Sequence, residues 1–520
     1  MSSLLATKAP DRLIAESRQE DAHTLKRALG PLNLVALGIG AIIGAGIFVL
    51  TGSAAAQSAG PAVVLSFVIS GLGCAFAGLC YAEFASMIPI AGSAYSYSYA
   101  TLGEFVAWII GWDLILEYTF GSAAVASGWS GNLNLLLQHL GYGLPPQLTD
   151  TPGTVLVQYQ GLWQAASTLP AGVSIAGLPT VHAVFNLVAF IAMLGVTLLL
   201  VIGIKESANF NTAIVFVKIS TVLVFIGVAA IFLFKHPSIA WNNWHPFIPA
   251  NQGGFGQFGW SGVAQAASLV FFAYIGFDAV STTAQEARNP QKDMPIGILG
   301  SLAICTVLYI VTAALLTGMV NYTRLNVAAP VAAGIEAAGT RWGTYVVLIG
   351  TILGLSTTMM VMMLGQSRVL FAMSRDGLLP KWAGAVHPRF RTPWISTIAV
   401  GLFVALFGSL VPISALGRLT SIGTLLAFII VCCGVLVLRR TRPDLPRPFR
   451  TPLVPAVPIL GIVICFLMMA TLPGGTWIRL VVWLLIGFVI YFGYGRKHSL
   501  VQKALSSKAE TSPERALIGQ

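Results

Sequence analysis

Charge is scarce in this sequence. Asp, Glu, Lys and Arg make up only 9% of its 520 residues, whereas apolar residues make up 56%. An average soluble domain carries about 25% charged residues. A soluble protein of this composition would have too little polar surface to cover its apolar side chains. The composition therefore excludes an ordinary soluble protein and indicates a chain that lies mostly in lipid.

Patterns that indicate a metal site, a disulfide scaffold or an enzyme are also missing. The sequence contains no His-Glu-x-x-His motif and no convincing Ser/His/Asp set. Every cysteine falls inside a predicted membrane span, without zinc-site spacing and without a partner in an outer loop. The cysteines are Cys74, Cys80, Cys305, Cys432, Cys433 and Cys465. We therefore expect buried thiols, no cofactor, no metal and no enzyme activity.

Long apolar stretches recur along the whole chain. A helix that spans a membrane needs roughly 20 predominantly apolar residues, whereas the strands of a membrane barrel would alternate over about ten residues. The predicted cores lie near 34–57, 61–86, 103–130, 181–202, 210–234, 259–283, 295–319, 343–373, 393–410, 414–438, 453–472 and 476–495. The sequence therefore predicts an all-α membrane protein with about twelve transmembrane helices.

The net charge of +11 is distributed in a way that does not indicate nucleic-acid binding. Of the 29 Lys and Arg residues, 22 lie on one side of the predicted spans, four lie on the other and three lie within them. Cytoplasmic loops carry such an excess. We therefore expect a multi-pass protein of a bacterial-type inner membrane, with cytoplasmic tails at 1–30 and 497–520 and a membrane domain at 31–496. A short amphipathic helix is predicted near 8–27.

Two outer connections are long enough to have structure of their own. The first, 131–180, has no Lys or Arg, and we expect short helical or irregular elements in it. The second, 320–342, contains a small-residue helical segment at 328–339. This segment is either an outer lid or a plain surface helix.

Two of the predicted spans are interrupted by glycine. The first reads Gly-Ile-Gly-Ala-Ile-Ile-Gly-Ala-Gly-Ile-Phe (38–48), and the sixth reads Phe-Phe-Ala-Tyr-Ile-Gly-Phe-Asp (271–278). They hold matching places if the chain has two five-helix repeats, near 34–234 and 259–438, followed by two helices near 453–495. Small residues also serve close helix packing, but paired breaks are typical of a transporter binding site.

A broken helix can bind both charges of a zwitterion. The N–H groups freed after the first break suit a carboxylate, because they lie at the positive end of the helix dipole. The carbonyls before that break and those of the sixth span suit an ammonium group, and glycine lets the substrate approach the backbone closely. The predicted substrate-binding positions are Ile42, Ile43, Gly44, Ala45 and Gly46, with Phe272, Ala273 and Ile275.

Ionisable residues inside membrane spans are costly and mark functional candidates. Lys218 lies in the middle of the fifth span. It is either the residue that couples transport to a proton or another cation, or a fixed structural cation bonded to carbonyls. Asp113 and Glu117 lie on one face of the third span, and Glu117 is the one expected to line the cavity. Asp278 follows the second break and would cap the next half-helix or couple to the substrate.

Two further charged residues lie near the cytoplasmic ends of their spans. Glu83 belongs to the second span and Arg368 to the eighth. They would pair as a gate, unless the arginine only extends its charge to the membrane surface.

Together these residues resemble the amino acid–polyamine–organocation superfamily, and most closely its cationic amino acid transporter family. The resemblance covers roughly 30–500. Its motifs are Gly-Ile-Gly-Ala-Ile-Ile-Gly-Ala-Gly-Ile-Phe-Val (38–49), Tyr-Ala-Glu-Phe-Ala (81–85) with Gly-Ser-Ala-Tyr (92–95), Phe-Ala-Tyr-Ile-Gly-Phe-Asp (272–278), Glu-Ala-Arg-Asn-Pro-Gln-Lys (286–292) and Phe-Ala-Met-Ser-Arg-Asp-Gly-Leu-Leu-Pro (371–380).

The resemblance implies a five-plus-five inverted repeat with two extra helices, and amino acid import by alternating access. It implies that Lys218 occupies the region that sodium uses in sodium-coupled relatives, which favours proton coupling. It also implies that Glu117 lies beside the side-chain pocket and that Met362 faces that pocket. A methionine at this position would fill the space that a guanidinium stem requires.

We therefore predict a proton-coupled permease for small neutral amino acids such as L-alanine, with broad selectivity. The alternatives are a cationic amino acid transporter, for arginine or lysine, and an amino acid exchanger. A small single-helix accessory subunit or a bound lipid is a further candidate partner.

Overall fold

The structure is a computed structural model that describes residues 4–8, 29–88, 93–159, 161–169, 173–203 and 208–510. The amphipathic helix predicted for 8–27 lies outside these residues except for Lys8, and so do the last ten residues of the chain. The described part consists mostly of helices, with one small sheet on a long connection.

Among the described residues, the first half of the chain contains seven long or medium helices and one shorter one. They are α1 (Pro31–Ile42), α2 (46–59), α3 (Val63–Met87), α4 (Ser93–Thr101), α5 (Glu104–His139), α6 (Leu187–Ile202), α7 (Ala208–Lys235) and α8 (Pro237–Asn243). Proline stands at the start of α1 and α8, where its missing N–H removes no helical hydrogen bond. α2 is wound partly as π-helix.

The described part of the second half contains ten further α-helices of five residues or more. They are α9 (Gly259–Val270), α10 (Phe277–Ser281), α11 (Pro290–Met319), α12 (Pro330–Ala337), α13 (Arg341–Arg375), α14 (Trp394–Leu410), α15 (Ile413–Thr441), α16 (Ala456–Thr471), α17 (Gly474–Ile490) and α18 (Leu500–Glu510). α11 packs against α3 and α1, and α5 packs against α13 and α15, so the broken helices lie inside a bundle of unbroken ones.

Eight helical runs in the described residues are long and apolar enough to cross a membrane. Four shorter apolar helices accompany them, namely α1, α6, α14 and α16. This confirms a helical protein with many apolar spans. The number of twelve spans and their arrangement as two inverted repeats remain predictions.

The connection at 131–180 contains short helical elements, as expected from the sequence, at Pro146–Leu148 and Ala166–Thr168, and also strands, which were not expected. α5 runs nine residues past its predicted end at residue 130, to His139. An antiparallel sheet then follows, with β1 (Val155–Tyr159) between β2 (Leu162–Ala165) and β3 (Thr180–His182). Leu156 pairs with Ala165 on one side and with Val181 on the other. The short apolar runs of this loop are therefore strands, whose weak signal was masked by the surrounding Gly and Pro residues.

The small-residue segment at 328–339 forms α12, which is packed against the bundle. Pro330, Val331 and Ile335 are buried. A Cβ on Gly52 of α2 would lie 2.6 Å from a Pro330 side-chain atom, so α12 rests on the second half of the first broken helix. One face of α12 thus covers this end of α2, and its role as an outer lid stays a prediction.

Candidate functional site

The first broken helix is interrupted at Ile43 and Gly44. α1 ends at Ile42, and Ile43 has an extended backbone with φ −70° and ψ 103°. α2 then begins at Gly46, and no side chain caps its first N–H groups. Since the first N–H groups of a helix have no partner within it, this start offers hydrogen-bond donors at the place where the sequence predicts a carboxylate.

The second broken helix is interrupted at Ile275 and Gly276. After α9 the chain makes a 3-10 turn at Phe271–Tyr274, and Ile275 is extended with ψ 133°. Gly276 has φ +120°, a conformation that residues with a side chain rarely adopt, and α10 starts directly after it. The glycine therefore permits the turn that separates the two half-helices.

The two breaks lie against each other, backbone to backbone. A Cβ on Gly46 would lie 2.2 Å from the Cα of Ala273, and a Cβ on Gly276 would lie 2.9 Å from the carbonyl of Ala41. We predicted that these glycines allow the substrate to approach the backbone. In the structure, Gly46 and Gly276 instead allow the two broken helices to touch, and this contact brings the predicted substrate-binding segments together.

Lys218 is fully buried on α7 and is bonded to the first break. Its ammonium group donates to the carbonyls of Gly40 and Ile43, the latter at 3.0 Å, and to the Thr358 hydroxyl at 2.9 Å. All three ammonium protons thus have an acceptor. These contacts tie α7 and α13 to the point where α1 unwinds, and both roles considered above, structural cation and coupling residue, stay predictions.

Tyr309 of α11 is a site residue that the sequence analysis missed. Its hydroxyl lies 2.8 Å from the carbonyl oxygen of Ile42 and 3.0 Å from that of Ala273, so it contacts both breaks. The side chain is fully buried. A single tyrosine in an apolar run resembles an ordinary core residue, and only the three-dimensional structure places it here.

Four of the predicted carbonyl acceptors, those of Ile42, Ile43, Phe272 and Ala273, have partners in the structure. Ile42 and Ala273 accept from Tyr309, and Ile43 accepts from Lys218 and from the Thr358 hydroxyl. The carbonyl of Phe272 accepts from the Ile275 N–H at 3.2 Å. An amine at this site would therefore share or replace an existing donor.

Asp278 follows the second break directly, and two further buried acidic residues, Asp113 and Glu117, belong to α5. The Tyr118 hydroxyl donates to one oxygen of Asp278 at 2.7 Å. The other Asp278 oxygen, one oxygen of Glu117 and both oxygens of Asp113 are buried without a hydrogen-bond partner among the described residues. Asp278 is the second residue of α10, and its role, capping that half-helix or coupling to the substrate, stays a prediction.

Met362 lies on α13 and is packed against α5. It is 4% exposed, and its sulfur lies 3.2 Å from the Cβ position of Gly121. Gly121 is four residues after Glu117 on α5, so Met362 and Glu117 belong to the same side of that helix. The structure therefore places an apolar side chain one turn from Glu117, one of whose carboxyl oxygens has no hydrogen-bond partner among the described residues.

The predicted gate between Glu83 and Arg368 is wrong. Glu83 is buried and forms a two-pronged ion pair with Arg439 of α15, with distances of 3.0 and 2.7 Å. Arg368 pairs instead with Glu286 at 3.1 Å. Glu83 and Arg368 therefore belong to separate ion pairs. The sequence shows which end of a span each residue lies near, but not which spans are neighbours in the fold.

Glu83 has additional partners in the connection after α15. The N–H of Thr451 donates to it at 2.8 Å, and the guanidinium of Arg447 lies 3.4 Å away. These contacts of Glu83, which we call the Glu83 clasp, link α3 to α15 and to the segment that leads into α16. Arg439 and Arg447 were counted only as cytoplasmic charges in the sequence, so the clasp was not predicted.

The chain resembles known permeases over nearly its whole length. Residues 29–494 match the family model described as amino acid permease. The chain belongs to this amino acid permease family. The permease is 47% identical over 498 residues to the branched-chain amino acid permease BcaP of Bacillus subtilis, an alignment that covers 96% of this chain and 98% of that protein.

Two further relatives carry other names. The permease is 44% identical over 503 residues to a methylthioribose transporter of Bacillus subtilis, with 97% and 100% of the two chains covered. It is 30% identical over 619 residues to the vacuolar cationic amino acid transporter 4 of Arabidopsis thaliana, with 97% of each covered. The resemblance to the amino acid–polyamine–organocation superfamily is thereby confirmed, and the permease is a multi-pass membrane protein.

Proposed function

We propose that this permease imports neutral amino acids by alternating access around the two joined breaks, and that a proton drives the import. The observation that carries the proposal is the contact between Gly46 and Ala273, which brings the start of α2 and the carbonyls of the second break to one place. Donors for a carboxylate and acceptors for an ammonium group then lie within the length of one amino acid backbone.

The substrate carboxylate would bind the uncapped N–H groups at the start of α2, near Gly44, Ala45 and Gly46. The ammonium group would bind the carbonyls of Ile42 and Ala273. Non-helical backbone at membrane depth is stable only where it is buried or lines a cavity, and the buried breaks satisfy this condition.

A neutral side chain fits the apolar neighbourhood of Met362. The names of two relatives, both branched-chain amino acid permeases, point to valine, leucine and isoleucine. We had predicted small substrates such as L-alanine, and alanine remains within the proposed range. The relatives' names favour the larger branched side chains as the preferred substrates.

Proton coupling would operate through Lys218. An ammonium group donates three hydrogen bonds, as this one does. A neutral amine would keep only two protons and would turn a lone pair toward a carbonyl or hydroxyl oxygen. Loss of the proton would therefore loosen the link between α7 and the first break. We place both termini in the cytoplasm, by the charge asymmetry of the loops.

Transport of cationic amino acids is the second candidate function. The unpartnered oxygens of Glu117 and Asp278 could accept hydrogen bonds from a guanidinium or ammonium side chain. Several relatives are named cationic amino acid transporters. Met362 and the 47% identity to the branched-chain permease of Bacillus subtilis, against 30–39% for the cationic transporters, favour the neutral substrate.

Uptake into proteoliposomes tests the proposal. Labelled leucine should accumulate when the outside is made more acidic than the inside, and Lys218→Gln should abolish that accumulation. The matched control is Lys235→Gln, at the exposed end of the same helix, which should behave as the wild type. Leucine movement that ignores the pH gradient and requires an amino acid inside would support an exchanger and overturn the proton-driven carrier.

A further inference from the structure

One side chain, Tyr309, touches both breaks at once. Its hydroxyl is within hydrogen-bond distance of the Ile42 carbonyl, which ends α1, and of the Ala273 carbonyl, in the 3-10 turn after α9. Neither contact belongs to the regular hydrogen bonding of a helix. The hydroxyl therefore joins two chain segments that are about 230 residues apart.

The ring of Tyr309 is held in place by other aromatic side chains. Its centroid lies 5.6 Å from that of Phe67 and 5.5 Å from that of Tyr274, both in inclined or edge-on contacts. Tyr274 is fixed in turn by a hydrogen bond from its hydroxyl to the Phe67 carbonyl, at 2.9 Å. Packing on these sides aims the Tyr309 hydroxyl at the breaks and leaves it little freedom to turn away.

The hydroxyl has one proton for two acceptors. A tyrosine donates a single hydrogen bond, so the carbonyls of Ile42 and Ala273 share it and neither is fully satisfied. Under the proposed function these two carbonyls bind the substrate amine, and an ammonium group brings three donors. The same pair of acceptors is thus bound weakly by Tyr309 and would be bound more strongly by a substrate.

We propose that Tyr309 stands in for the substrate amine while the carrier returns without substrate. This inference rests on the proposed function and adds a positioning residue to it. The hydroxyl supplies a donor to the Ile42 and Ala273 carbonyls and holds the two breaks together during the return. Substrate then takes over these carbonyls, and the hydroxyl gives up one or both contacts.

The two halves of the transport cycle therefore depend on Tyr309 differently. Without the hydroxyl, two buried carbonyls would lack a donor during the return of the empty carrier, and an unmade buried hydrogen bond is costly. A substrate-loaded carrier brings its own donors and avoids this cost. Net uptake requires the empty return, whereas exchange of one substrate for another does not.

Tyr309→Phe removes only the hydroxyl and keeps the ring. In proteoliposomes we expect net uptake of labelled leucine to fall about tenfold, whereas exchange against unlabelled leucine inside stays near the wild-type rate. The apparent affinity for leucine, measured as a shift of melting temperature with ligand concentration, should rise because the substrate no longer competes with the hydroxyl.

Tyr274→Phe is the matched control. It removes a buried hydroxyl from the same aromatic cluster, but that hydroxyl bonds to the Phe67 carbonyl of α3 instead of the breaks. This variant should keep the wild-type ratio of exchange to net uptake, even if its melting temperature falls. A purely structural role of Tyr309 would lower both rates together, as a general loss of folded protein does.

The outcomes separate the inference from the proposed function. If wild-type protein neither exchanges nor accumulates leucine, the proposed function fails. If the wild type does both and Tyr309→Phe keeps the wild-type ratio of exchange to net uptake, or loses exchange as much as net uptake, the stand-in role is overturned and the proposed function is unaffected.

Discussion

Two groups of buried polar side chains adjoin the breaks, and their hydrogen bonds are satisfied to different degrees. Lys218 has an acceptor for each of its three protons. Asp113, Glu117 and Asp278 together have four carboxyl oxygens without a hydrogen-bond partner among the described residues. A buried polar group without a partner costs about 1–3 kcal/mol, and more if it is charged.

The difference separates a fixed part of the site from an adaptable one. The contacts of Lys218 hold the first break in one geometry, whereas the acidic group needs further donors, such as its own protons, buried waters or a substrate side chain. A substitution on the Lys218 side should therefore damage the whole carrier. A substitution on the acidic side should mainly change which substrates it accepts.

The largest effect is expected from Lys218→Met. This change leaves the carbonyl of Gly40 without its buried donor, at a cost of about 1–3 kcal/mol, and removes one of the two donors to the carbonyl of Ile43. Leucine uptake should be lost, and the melting temperature in detergent should fall by several degrees. Lys235→Met on the same helix should change neither measurement. If Lys218→Met kept wild-type uptake and stability, the claim that the Lys218 contacts hold the first break in place would be wrong.

Gly46→Ala should have the next largest effect, because it pushes the two breaks apart. The added methyl group would collide with the backbone of Ala273, and overpacking of this kind costs about 1–3 kcal/mol. We expect uptake to fall and ligand-induced thermal stabilisation to weaken. Gly227→Ala is the control, since a Cβ there meets no atom within 4 Å. Equal uptake in both variants would show that the contact between the breaks is dispensable.

Glu117→Gln should have a moderate effect that is confined to selectivity. The amide keeps the size of the side chain and supplies donors of its own to the acidic group. Leucine uptake should be largely retained, and any inhibition by arginine should disappear. Competition assays in proteoliposomes measure both. If Glu117→Gln folded normally but lost leucine uptake, Glu117 would be required for transport itself, and the proposed division between Lys218 and the acidic residues would be wrong.

The smallest effect is expected from Met362→Val. The shorter side chain opens space beside Gly121 without a polar change, and such a truncation costs about 1 kcal/mol in a core that can relax. Leucine uptake should continue, while arginine should inhibit it more strongly than in the wild type. An unchanged competition profile would show that Met362 does not limit the length of the substrate side chain.

The sequence is sufficient to locate the two helix breaks, but it does not show which side chains from distant helices form contacts with one another. Glycine has a local signature, so the interruptions near Gly44 and Gly276 were predicted to within about two residues. A buried lysine is equally conspicuous in an apolar span. The partners of Glu83 and Arg368 depend on which distant helices meet, and no local pattern encodes that. Tyr309 was missed for the same reason, because its role depends on two carbonyls that belong to other helices.

The strands of the outer connection show another limit of the sequence analysis. β1 to β3 are short, and their pairing depends on contacts across a loop rich in Gly and Pro. By contrast, the long apolar helices were predicted well, since lipid imposes a length and a composition on each of them.

Solute counterflow tests the central claim most directly. Proteoliposomes that contain the wild-type permease and unlabelled valine are diluted into labelled leucine, with no pH gradient. The account predicts transient accumulation of label, which is abolished by excess isoleucine and weakened by alanine but unchanged by arginine. No accumulation, or accumulation that arginine abolishes and isoleucine does not, would contradict a carrier of neutral amino acids.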